Sequence, residues 1–580
     1  MGTRTLLLLT VLLCVILTPC PSQAVEKADL ILFNGQIVTV DDDFSIAQAM
    51  AIKGDRIVLI GKNEDVFEAR GDNTEMVNLE GKTVLPGLID SHAHPCDACM
   101  TEFDHPIPPM ESIQDVLDYI QSRADQLEDG EWILLSQVFI TRLREQRYPT
   151  REELDRVAPK NPVVFATGPD ASLNTLALKL SGIDKNFKVT DGGPGYTERN
   201  PETGEPTGIL RSCTRYVKSK PSGKQPTEND RYQRLIELFK DYNSVGITGV
   251  GDGDSSDLEV RLYKRLHDES NLTVRAFMSR HIDTIGPMEK IQENIRKVAQ
   301  DPLFYKADPM LRIGGIKTYL DGGMLTGSAY MREPWGVSKI YAIDDPKYRG
   351  LLFIPPERLL PIIKTSVECD LQFAAHTVGD GAVHTFLDTC EKVSKELDIR
   401  KTRPRITHSN FMSREAVEKM VQLGVVIDVQ PTWLYLDTRT LVSHFGYDRL
   451  RYFQPLRSVF AAGGMAAGGS DHMQKIGSLR SVNPYNPFLS MWVAVTRKAR
   501  WYDGRLHPEE SLSREQAIRF YTINGAYVMF WENETGSLEE DKLADFIVID
   551  KDILACPVDD VKDIQVLRTY LNGKLIYQRD

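Results

Sequence analysis

The chain has 580 residues, 42% of them hydrophobic, and a net charge of −13. That is enough apolar material for a large core and more than one domain. Both signs of charge are spread along the sequence without a basic block, which argues against nucleic acid as a partner and assigns the acidity to solubility.

From the N-terminus, Arg4, the apolar run 6–17 and Ser22-Gln23-Ala24 read as a secretory signal peptide cleaved after Ala24. The run is too short for a comfortable membrane span, and Pro19 argues against lipidation of Cys20. The mature chain is therefore expected to be exported, to a periplasm, a secretory lumen or the medium, and to leave the membrane. Cys14 and Cys20 go with the signal, so six of the eight cysteines remain, too sparse for a disulfide scaffold. Cys96 and Cys99 read as a local disulfide or as two ordinary thiols.

Residues 30–40 alternate around Asn34-Gly35, and residues 49–60 around Gly54-Asp55; both pairs predict hairpin turns. Residues 77–85 lead into Pro86. Near the other end, 544–550 reads as a strand and 566–577 as a hairpin around Asn572-Gly573. These two sets, within 25–85 and 526–580, are expected to pair as one small β-sandwich. Between them, over 86–525, strand and helix signals alternate as in parallel βα units. Candidate strands fall at 246–251, 273–279, 311–319, 371–376, 405–408, 425–430 and 465–470. Between the fifth and sixth strands (counting from the His92 strand), Val383, Phe386, Leu387, Cys390, Val393 and Leu397 share one helix face, and after the sixth Ser413 reads as an N-cap with Val417, Met420 and Val421 turned inward. With the strand that carries His92 the count is eight, which predicts an α/β chain built on a TIM-type (β/α)8 barrel. Residues 111–230 break the rhythm and read as an inserted αβ subdomain over the barrel mouth.

The chemistry starts at Gly87-Leu88-Ile89-Asp90-Ser91-His92-Ala93-His94. Side chains two apart on a strand share a face, so His92 and His94 can hold one metal ion. A lone His-x-His is a weak signal. Here other strands also end in polar groups: Lys317, His376, His408 and Asp471. Groups at the C-terminal ends of barrel strands converge on one point.

These motifs resemble the amidohydrolase superfamily, within it the amidohydrolase-3 branch of N-substituted formamide deformylases. The resemblance covers nearly the whole mature chain. It rests on residues 86–94, Gly315-Ile316-Lys317 with Asp321-Gly322, His376 before Gly379-Asp380, Arg405-Ile406-Thr407-His408, Gly469-Ser470-Asp471 and Lys542-Leu543-Ala544-Asp545. It implies that His92, His94 and Asp471 hold a first metal, that His376 and His408 hold a second, and that Lys317 bridges them as a carbamate formed from CO2. A lysine that folds away to pair with Asp321, or that serves a single-metal site, is the plainer alternative. Zinc suits the donors, with iron or manganese open. A bound metal lowers the pKa of its water from about 15.7 to about 7, and Asp471 is expected to orient that water and move its proton.

Tyr330, Arg332 and Trp433 lie beyond strand ends and read as substrate contacts. His384 reads as a solvated histidine and His472 as a neighbour of the ligands. Pro169 stands about where many members of the branch carry a histidine, so substrate contacts do not transfer. The expected activity is hydrolysis of a carbon–nitrogen bond in a linear, non-peptide amide, an N-formyl or N-acyl amine. A lactonase or esterase with the same centre, or a non-catalytic exported binding or regulatory protein, are the rivals. The expected partner is a small-molecule substrate, and self-association is left open.

Overall fold

The computed structural model describes residues 26–580 apart from 137, 306 and 307; the signal segment lies outside the described residues. No helix among them is long and apolar enough to cross a membrane.

Eight parallel strands form the central sheet. They are β1 (Leu88–Ala93), β2 (Ile247–Ser255), β3 (Arg275–His281), β4 (Leu311–Tyr319), β5 (Gln372–Thr377), β6 (Arg405–His408), β7 (Val426–Val429) and β8 (Ala466–Gly468). Each pairs with the next in chain order. The ring closes just past the end of β8: Ala93 bridges His472 in parallel, the Asp471 amide donates to the His92 carbonyl at 2.7 Å, and the His94 amide donates to the His472 carbonyl at 2.8 Å. The expected (β/α)8 barrel is the observed one. Its strands are buried on both faces, which is why they read as short apolar runs rather than alternating ones.

The crossover helices follow their sequence signals. In helix Asp380–Ser394, Val383, Phe386, Leu387, Cys390 and Val393 are buried, while Leu397 packs partly buried beyond it. Ser413 caps helix Arg414–Leu423 by accepting from the Ala416 amide; Val417 and Met420 are buried, and Val421 is only half-buried. A five-stranded sheet spanning 133–211 forms the inserted αβ layer, and its Phe139, Gly168 and Pro169 reach the barrel mouth.

At the far end, the strand Thr83–Pro86 pairs antiparallel with Phe546–Ile549, joining both chain ends in a six-stranded sheet. A four-stranded sheet shares its core, with Leu32 and Met50 from one layer meeting Ile37, Val84, Phe546 and Val548 from the other. Gly54-Asp55 and Asn572-Gly573 turn hairpins as expected. Asn34-Gly35 does not. Leu30–Phe33 pairs with Ala49–Lys53 and Glu75–Asn78 in one sheet, whereas Gln36–Val38 pairs with Thr83–Pro86 and Ile46–Ala47 in the other. Asn34, at φ 57°, turns the chain from layer to layer, so that each half buries its apolar face against a different neighbour.

Candidate metal centre

All six expected ligands line one cavity of ≈ 390 Å³ at the C-terminal mouth of the barrel. Nε2 of His94 stands 3.2 Å from Asp471 Oδ1, and Nε2 of His92 stands 3.4 Å from the same oxygen. The His92 and His408 rings are 5.2 Å apart, centroid to centroid, and the His408 and His376 rings 4.6 Å. Donor atoms of His92, His408 and Asp471 lie within 4.8 Å of one another. That grouping cuts across the division implied by resemblance, since His408 joins His92 and Asp471 as readily as it joins His376. Lys317 is buried in the wall of the same cavity.

The local backbone aims these groups. His408 at φ 82° and Asp471 at φ 53° sit in the left-handed region, a strain that packed surroundings must hold. Gly253 on β2 makes room for His92: a Cβ there would meet its Cε1 at 2.1 Å. Asp90, two residues before His92 on the same strand, accepts from the amides of His92 at 3.1 Å and Ser470 at 3.0 Å, and from Ser470 Oγ at 2.5 Å. It therefore ties β1 to the segment that carries Asp471.

His408 is oriented by a chain of hydrogen bonds that the sequence reading missed. Its Nδ1–H donates to Gln430 Oε1 at 2.8 Å, and Gln430 Nε2 donates to Asp428 Oδ1 at 2.9 Å. Arg405 Nε holds the other Asp428 oxygen at 2.7 Å. This leaves the His408 Nε2 lone pair free. The signal was present, because Asp428 and Gln430 are two apart, both polar and both at the end of an apolar strand. Such partners fix the tautomer of a metal-binding imidazole. Gln430→Leu is expected to weaken metal binding by about 10- to 100-fold, read by competition with a chelator. Unchanged affinity would mean that the ring is held by packing alone.

The electrostatics suit a cation. Burial, then Lys317, pushes His92 down to about 3, and burial, then His408, holds His376 well below the histidine range. Both rings are thus neutral donors. Burial works to raise Asp471, but His92 and His94 hold it well below the carboxylate range. Burial also opposes a charge on His94, yet Asp471 raises it to about 9, so a metal must displace that proton. Burial pushes Lys317 down to about 8 against the pull of Asp428 and Asp254. His92 Nε2 is buried with no hydrogen-bond partner, an orphaned lone pair that a cation would satisfy. Imidazole and carboxylate donors with such an orphan fit a divalent metal.

Lys317 does not fold away onto Asp321. Asp321 accepts from the amides of Val378, Gly379 and Tyr330, each at 2.9 Å, and both its oxygens are engaged. The same bonds decide where Tyr330 goes. Its carbonyl lies so near Gly379 that a Cβ there would stand 2.1 Å away. Neither Tyr330 nor Arg332 lines the cavity. Arg332 faces a separate surface cleft, with its amide on Asp380 and its guanidinium 3.2 Å from His384. The expected substrate roles of these two residues are corrected by that geometry. His384 is half-buried and bonded to Ser413 Oγ at 3.0 Å, not simply solvated. Trp433 does line the cavity, stacked on His408 with centroids 4.9 Å apart and planes 17° apart. His472 is held behind it: Nδ1 accepts from Tyr242 Oη at 2.7 Å, and Nε2 faces the Gln474 and Lys475 carbonyls. Cys96 and Cys99 are separate thiols, with Cys99 Sγ donating to the Cys96 carbonyl.

The family model described as "Amidohydrolase family" matches residues 75–577. The chain belongs to the amidohydrolase family. This amidohydrolase is 29% identical to the N-substituted formamide deformylase of Arthrobacter pascens, over 96% of its own length and 99% of the relative's. It is 28% identical to Protein LONG AFTER FAR-RED 3 of Arabidopsis thaliana, over 95% and 92% of the two chains. Among solved structures, an uncharacterized metal-dependent hydrolase from Pyrococcus horikoshii OT3 matches with a TM-score of 0.65 at 20% identity, covering 91% of this chain and 99% of that one. A mutant atrazine chlorohydrolase from Arthrobacter aurescens TC1, complexed with zinc and atraton, matches with a TM-score of 0.52 at 15% identity, covering 95% of each chain. At those identities the likeness concerns the fold.

Proposed function

We propose that this amidohydrolase is exported and cleaves a carbon–nitrogen bond in a linear, non-peptide amide, an N-formyl or N-acyl amine. The reading is carried by the convergence of His92, His94, Lys317, His376, His408 and Asp471 on one cavity, whose lining also holds apolar groups such as Phe139, Leu325, Phe353 and Trp433. The formamide deformylase among its relatives supports the choice of bond. Those six residues would hold divalent metal, zinc in our reading, which supplies a Lewis acid for the carbonyl and brings hydroxide within reach near pH 7.

The chain's own groups do the rest. Asp471 takes a proton from the attacking water at a carboxylate oxygen and delivers it to the leaving nitrogen. Asn483 Nδ2, 3.2 Å from Asp471 Oδ2, holds the carboxylate in place for both transfers. The apolar part of the lining takes the carbon substituent of the amide.

Lys317 enters this reading as a carbamate. A buried ammonium beside cations is repelled and desolvated at once. Attack of the neutral amine on CO2 forms an N–C bond, releases a proton and leaves an anion with two donor oxygens. Intact mass under native conditions is expected to show one extra carboxyl group in metal-loaded protein and none in Lys317→Met. A metal-loaded protein of unmodified mass refutes the carbamate.

A panel of N-formyl and N-acyl amines, with matched esters and lactones at equal concentration, tests the activity. Faster release of amine than of alcohol is expected. A preference for esters or lactones moves the reaction to carbon–oxygen bonds. Protein with neither bound metal nor turnover of any member leaves a binding role. A mature chain beginning at Val25 is the expected mark of export.

A further inference from the structure

We propose a second, structural cation site formed by Cys96, Asp252 and Glu259, apart from the catalytic cavity. The three residues come from three successive elements. Cys96 lies in the short helix Pro95–Ala98 that follows His94, Asp252 lies near the end of β2, and Glu259 is in the first turn of helix Asp257–Asp268. The thiol and one oxygen of each carboxylate lie within 4.8 Å of one another. None of the three lines the ≈ 390 Å³ cavity.

A charge on His94 pulls on both carboxyls without forming an ion pair with either. Among the described residues neither Asp252 nor Glu259 is in an ion pair with Lys, Arg or His. Cys96 is 3% exposed and Asp252 2%. Asp252 Oδ2 is buried without a well-formed hydrogen bond, and the group that faces it is the hydroxyl of Tyr263, a fully buried side chain that likewise has no other partner. Burial, then the facing Glu259, pushes the Asp252 carboxyl up. Glu259 itself is fixed by its helix: it accepts from the Ser256 amide in the capping box, so it cannot swing out to solvent without uncapping the helix. Buried acids left in this state hold protons or a cation.

The donor set selects the cation. One thiolate and two carboxylate oxygens suit zinc and its neighbours, whereas calcium and magnesium take oxygen alone. Three protein donors leave a fourth tetrahedral position, for water or the Tyr263 hydroxyl. Binding replaces the thiol proton with a metal–sulfur bond and releases the proton to solvent, with no redox change. The ion would clamp the segment leaving His94 to β2 and its helix, and so hold one ligand of the catalytic centre from behind.

Cobalt(II) reconstitution of the full mature chain separates the two sites. The catalytic centre offers nitrogen and oxygen donors, so a near-ultraviolet thiolate-to-cobalt charge-transfer band can come only from a cysteine. The band is expected in the parent protein and in Cys99→Ser, and absent in Cys96→Ser. Metal analysis is expected to lose about one equivalent per chain in Cys96→Ser and Asp252→Asn. If Asp252→Asn does not fold, the parent and Cys96→Ser spectra still decide. No band in the parent protein, or a band that survives in Cys96→Ser, overturns the site and leaves the cluster to protons.

Discussion

Asp471→Asn is expected to keep most of the bound metal and to lose turnover by about 10²- to 10⁴-fold, the range of a positioned acid–base group. The amide is the same size as the carboxylate, so the backbone contact from Asn483 to the Asp471 carbonyl at 2.7 Å survives. An amide oxygen can still face His92 and His94, which stand 3.4 and 3.2 Å from the present Oδ1. What the amide cannot do is accept the proton of water and release it to an amine. Metal content and kcat, measured on the same preparation, separate the two roles. Near-normal turnover removes Asp471 from proton transfer, and loss of metal in parallel with activity makes it a ligand only.

Asp545→Ala is expected to cost about 3–5 kcal/mol of stability, the cost of leaving one partner of a buried ion pair alone. Asp545 precedes the strand Phe546–Ile549 of the six-stranded sheet, and Arg275 opens β3 at the N-terminal end of the barrel. The two meet through paired bonds, Nε to Oδ2 at 2.5 Å and Nη2 to Oδ1 at 2.8 Å, and each side chain is 1% exposed. Asp545 also accepts from the Asn572 amide at 2.9 Å and Thr535 Oγ1 at 3.1 Å, so one carboxylate fastens a hairpin turn and the barrel together. Removing it strands a guanidinium between two layers. The double variant Arg275→Met with Asp545→Leu should recover much of the loss, because no charge is then buried. Denaturant midpoints read both. A single variant as stable as the parent would show that water reaches Arg275.

The candidate ligand set was legible because each of its members lies at or just beside the C-terminal end of a strand, and strand ends in a parallel barrel face one mouth. His92, His94, Lys317, His376, His408 and Asp471 needed only local pattern and a count of eight strands. The helix that follows β5 was legible for the same reason: its apolar face repeats at the helical period, and the structure buries that face. Residues whose position depends on how one loop lies on another were not legible. Tyr330 and Arg332 follow a strand end as Trp433 does, yet Asp321 and Gly379 fold their loop back onto the barrel wall, while Trp433 begins a helix directly beneath His408.

The sequence by itself determined the periodicities, and with them the barrel, the hairpins at Gly54-Asp55 and Asn572-Gly573, and the residues that end each strand. Tertiary structure alone decided the closure of β8 on β1 through Asp90 and Ser470, 380 residues apart, the passage of Asn34-Gly35 between layers, and the meeting of Cys96 with Glu259. The physical reason is range. A backbone period is written within a few neighbouring side chains, whereas closure, layer choice and the burial of a lone carboxylate depend on which distant surface excludes water from it.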